Sequence, residues 1–114
     1  MARDANDWTA ASRSLANAAY EVGDVTRGRE AFERALTAFD RFPTANKGYV
    51  ARTNADTELI WAQTELVAPQ CDEVQPHVVN ADKLSKSADS LGARDARFND
   101  QLTAIRKAIA DRCG

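Results

Sequence analysis

The 114-residue chain is 44% hydrophobic and 28% charged, with 15 basic against 17 acidic side chains, one histidine and two cysteines. That length and balance predict a single folded domain over residues 1–114 and exclude a disordered or collagen-like chain. A net charge of −2 gives no basic stripe for nucleic acid, and no window approaches the roughly 18 apolar residues of a membrane span. The opening residues Met1-Ala2-Arg3-Asp4 lack the apolar core of a signal peptide, so an exported form is expected to have lost its signal already.

Alanine is the commonest residue, with 22 copies against 3 prolines and 5 glycines, and this favours helix throughout. The first periodic run sets Trp8, Ala11, Leu15, Ala18 or Ala19, and Val22 on one face at spacings of three and four, and Gly23-Asp24 stops it. A second run through Val25, Phe32, Ala35, Leu36, Phe39 and Phe42 closes at Pro43, which cannot continue a helix. The short turn between them makes the two helices antiparallel. A third run, from about Ala45 to Val67, has apolar residues over a wide face and reads as a central helix covered on two sides, ended by Pro69. The fourth carries Val74, Val78, Ala81, Leu84, Ala88 and Leu91 up to Gly92, with its start near Pro76 left open. The fifth carries Phe98, Leu102, Ile105 and Ile109. No stretch alternates with a β period, so the predicted fold is all-α, with five antiparallel helices.

Cys71 and Cys113 lie at comparable distances before and after the Leu91-Gly92 turn, so a hairpin folded there brings them together. Cys113 also continues the apolar stripe of Leu102, Ile105 and Ile109. A disulfide is therefore expected, and it implies a periplasmic or secreted setting; reduced cysteines would instead place the chain in the cytoplasm. The alternatives are two small buried residues, or a zinc site completed by His77, whose spacing matches no CxxC or HxxxH pattern. No metal is expected.

The first hairpin carries a more specific pattern. Leu15-Ala16, the Gly23-Asp24 turn, Gly28, Phe32 and Ala35-Leu36 follow one another in the order and spacing of a tetratricopeptide repeat, which residues 9–43 resemble. Ala16 and Gly28 are small where the helices cross, Gly23 permits the turn, and Phe32 fills the space between helices. Ala19 stands where that family prefers an aromatic, with Tyr20 one residue later, and Pro43 arrives about three residues late. The longer second helix, ending Phe39-Asp40-Arg41-Phe42-Pro43, resembles the variant found in bacterial envelope proteins. No second copy of the motif follows. Helix three would begin a degenerate repeat, and helix five would cap the array.

The resemblance implies a groove that binds a peptide or partner protein, and hence an adaptor. Arg13 and Asn17, one turn apart, resemble the opening pair of a carboxylate clamp, and Tyr20, Lys47 and Arg52 join them as candidate partner-binding residues. No phosphate loop, HExxH or nucleophile elbow is present, and Asp72-Glu73 sit where a helix start favours acids, so neither an enzyme nor a cofactor is expected. Two other classes remain open at this level: a bundle holding a small apolar ligand, and a cytosolic chaperone or immunity-type protein.

Overall fold

In a computed structural model, Gly23 adopts φ +82° and turns the chain out of its first helix. The Asp24 N–H then donates to the Ala19 carbonyl at 2.8 Å and the Gly23 N–H to the Tyr20 carbonyl at 3.1 Å, the paired bonds of a glycine helix stop. The Asp24 carboxylate in turn accepts from the Arg27 N–H at 3.2 Å and starts the next helix. Gly92, at φ +84°, ends the fourth helix in the same way, with the Ala93 N–H on the Ala88 carbonyl at 2.8 Å. Two dipeptide-scale signals thus set both hairpins.

The structure describes residues 2–68 and 70–113, without the side chains of residues 2–4. The helices are α1 (Ala2–Glu21), α2 (Val25–Thr37), α3 (Lys47–Val67), α4 (Cys71–Ser90) and α5 (Ala96–Cys113), with a 3₁₀ turn at Ala38–Arg41. No strand occurs among the described residues, so the fold is all-α. The chain divides into two units, Met1–Asn46 and Lys47–Gly114.

In the first unit α1 packs on α2. Its buried row is Ala5, Thr9, Ser12, Ala16 and Ala19, and α2 buries Gly28, Ala31, Phe32 and Ala35. This corrects the register that apolar periodicity suggests. Trp8, Leu15 and Val22 are 55, 56 and 81% exposed, and the buried row consists of smaller residues on another side of the helix. Close approach explains the choice: a Cβ on Gly28 would lie 3.3 Å from the Ala16 carbonyl oxygen and inside the Tyr20 ring. Small residues let the two backbones meet, whereas Trp8 and Leu15 would hold them apart. Helix α2 also ends earlier than Pro43 implies. Thr37 Oγ turns back on the Glu33 and Arg34 carbonyls, both at 3.3 Å, and the chain tightens into the 3₁₀ turn.

Gly28→Ala tests that crossing. Helix propensity favours alanine by about 1 kcal/mol, but the new methyl must displace the Tyr20 ring from its tilted contact with Phe32, at 6.1 Å between centroids. Overpacking of this kind costs roughly 1–3 kcal/mol. A net loss of about 1 kcal/mol is expected in urea unfolding, and an unchanged or raised midpoint would contradict the close crossing.

In the second unit, Ala55, Leu59, Ala62 and Leu66 of α3 form one core with Val74, Val78 and Ala81 of α4 and Phe98, Leu102 and Ile105 of α5. Helix α3 is buried over a wide arc, at Thr57, Glu58, Trp61 and Glu65 as well as at its apolar positions. Gly48 fits near its start because a Cβ there would meet the Leu91 carbonyl oxygen at 3.0 Å and the Ala93 methyl at 3.2 Å. Helix α4 begins at Cys71, so Pro76 lies inside it; Pro69 lies outside the described residues. The cysteines occupy the first position of α4 and the last of α5, with Cα atoms 5.7 Å apart, at disulfide distance.

Candidate interaction surface

The five residues marked by sequence as partner contacts separate by unit and by role. On α1, Asn17 is exposed and Arg13 is half-buried one turn before it, while Tyr20 is half-buried with its ring laid over Gly28 and against Phe32. Tyr20 thus serves the packing of the hairpin. Lys47 is exposed at the start of α3. Arg52 is different, because its guanidinium is spent within the second unit. Nε donates to the Ala93 carbonyl, Nη1 to Ser85 Oγ and Nη2 to Asp89 Oδ1, each at 2.8 Å, with the side chain 11% exposed.

A second polar cluster sits between α3 and α4. His77 Nδ1 and Glu58 Oε2 are 2.8 Å apart with both side chains nearly buried, and the His77 ring stacks on Trp61 at 3.9 Å between centroids. The Trp61 indole N–H points to Glu65 Oε1 at 3.4 Å. His77, the third residue of the zinc alternative in the sequence, pairs here with a buried acid, which needs such a partner to be accommodated. Among the described residues no group of three or more His, Cys, Asp or Glu is placed to hold a metal ion.

The first unit carries an exposed apolar row on α1. Trp8, Ala11, Leu15, Ala18 and Val22 are all exposed and follow the three-four spacing of a heptad seam. Beside this seam α2 and the 3₁₀ turn carry Arg27, Arg34 and Arg41, spaced by seven and all exposed. Trp8, Arg34, Thr37, Ala38, Arg41 and Phe42 line a cleft of about 360 Å³. Leu15, Ala19, Arg27, Glu30 and Arg34 line a second hollow. Arg34 lines both hollows, which lie between the apolar row of α1 and the arginines of α2 and the 3₁₀ turn. The Arg27 side chain approaches Asp24 at 3.7 Å but is 82% exposed, so that contact holds it weakly.

Sequence reasoning passed over this groove, although half of its signal was readable. The arginine spacing is visible in the chain, but the exposure of the seam depends on which face of α1 packs, and this is decided by α2.

No helix of the described residues is long and apolar enough to cross a membrane. Models of protein families, curated proteins and solved structures give no match to the chain.

Proposed function

We propose that the chain is a small protein-interaction module, built on a tetratricopeptide-like first hairpin, whose contact surface is the groove between α1 and α2. The observation that carries this reading is the exposure of Trp8, Leu15 and Val22 in one row beside Arg27, Arg34 and Arg41. Monomeric proteins leave single apolar side chains on the surface, but a continuous row with a charged rim marks a docking face. The heptad spacing suits a helix, and the arginines suit one with an acidic flank. The paired cysteines support an oxidising compartment, periplasmic or extracellular, as the place of work.

Titration with a synthetic amphipathic helix, with leucine at its seam and glutamate on its flank, tests the groove. Leu15→Lys and Trp8→Ala are each expected to weaken binding about tenfold or more. The added salt dependence of the wild type should diminish in Arg34→Ala. Retention of full affinity by both seam variants, with helicity intact by circular dichroism, would remove this face from the proposal.

A further inference from the structure

Resting on that reading of the groove, we propose that the helix it receives is α1 of a second copy of the chain, lying parallel to the first about a two-fold axis along the seam. The seam is self-matching in this arrangement. Trp8, Leu15 and Val22 occupy one set of heptad positions and Ala11 and Ala18 the other, so large rows alternate with alanine rows that let the helices approach.

The charges choose the orientation. One flank of the seam, at Ser12 and Ala19, is buried, and the other carries Asp7, Ser14 and Glu21, again spaced by seven. In a parallel pair each flank faces the opposite flank of the partner helix. The Asp7 and Glu21 of the second copy therefore come across to the side of α2. Because α2 runs antiparallel to α1, Arg41 lies level with Trp8, and Arg27 lies toward the other end, level with Leu15 and Ala19. Asp7 of the second copy thus meets Arg41, and its Glu21 meets Arg27. Arg34 faces the uncharged Ser14, where Glu30 of its own hairpin stands beside it. The fourteen-residue spacing of the two acids equals that of the two outer arginines, so both contacts form in one register, and the two-fold repeats them.

An antiparallel pair would set the two α2 helices on the same side and bring their arginine rows together. Exposed ion pairs of this kind contribute little to affinity and act chiefly on register and orientation. The attraction itself comes from the seam. Arg13 and Asn17 lie away from the seam by helical position.

Sedimentation equilibrium from low micromolar to near-millimolar protein tests the pairing. The wild type is expected to form a concentration-dependent dimer that Leu15→Glu abolishes. Arg27→Glu with Arg41→Glu should raise the dissociation constant about tenfold or more, and adding Asp7→Arg with Glu21→Arg should restore the dimer. Circular dichroism of each variant confirms that the hairpins remain folded. A wild type that stays monomeric but binds the synthetic acidic helix overturns the self-pairing and leaves the groove reading standing. A wild type that does neither overturns both. A dimer indifferent to Leu15→Glu and to the charge reversals overturns the self-pairing by placing the interface elsewhere.

Discussion

Opening the Cys71–Cys113 cross-link, by reduction or by replacing both residues with alanine, is expected to cost about 4 kcal/mol of stability in the second unit. The cysteines are 42 residues apart in sequence and close a loop made of the whole α4–α5 hairpin. In the chain-entropy account a loop of that length restricts the unfolded chain by this amount. For a unit of this size the loss corresponds to a melting temperature lower by roughly 15–30 °C. The effect should fall unevenly. Helix α5 is held to α3 and α4 mainly through Phe98, Leu102 and Ile105, and its last turn is anchored by Cys113. Amide hydrogen exchange is therefore expected to rise first over the end of α5, while α3 and α4 keep their protection. A change below about 1 kcal/mol on reduction would show that the cross-link adds nothing to the packed hairpin. Intact mass spectrometry of protein from its native source, without reductant, gives the companion result. A mass lower by two hydrogens is expected, and free thiols there would instead point to a reducing compartment.

The cross-link was legible in the sequence because it follows from hairpin arithmetic, with one turn and two arms of similar length. Helix ends at Gly23 and Gly92 were legible for a related reason, since a glycine stop is written within six residues of chain. The face of α1 was not. Trp8-Ala11-Leu15-Ala18-Val22 and Ala5-Thr9-Ser12-Ala16-Ala19 both obey the helical period, and hydrophobicity alone selects the first. Packing selects the second, because the crossing at Gly28 demands small residues and tolerates Thr9 and Ser12 more easily than a large side chain. The polar pairs of the second unit were hidden too. Glu58 and His77 are 19 residues apart, and Arg52 reaches groups 33 to 41 residues away, so neither relation exists until α3 and α4 are aligned. From sequence Arg52 reads as a candidate partner contact, and only its tertiary neighbours reveal it as a brace.

That brace sets the second large expected effect. Arg52→Ala should destabilise the second unit by about 3 kcal/mol. The guanidinium joins α3 to the end of α4 through Ser85 and Asp89, to the following turn through the Ala93 carbonyl, and to α5 through the Phe98 ring, 5.2 Å from the ring centroid. Nη2 also approaches the Ser85 carbonyl of α4 at 3.4 Å. Truncation would strand the buried Ser85 hydroxyl and the Ala93 carbonyl. Asp89 is 41% exposed and can recover water, which keeps the loss below the roughly 5 kcal/mol of a fully buried unpaired charge. Arg52→Lys keeps the charge but cannot reproduce the fork of donors, so about 2 kcal/mol of the loss should remain. Asp89→Asn preserves an acceptor and should cost about 1 kcal/mol. The expected order of urea midpoints is therefore wild type, Asp89→Asn, Arg52→Lys, Arg52→Ala. If Arg52→Ala lay within error of Asp89→Asn, the bonds to Ser85 and Ala93 would contribute nothing to the stability of the second unit.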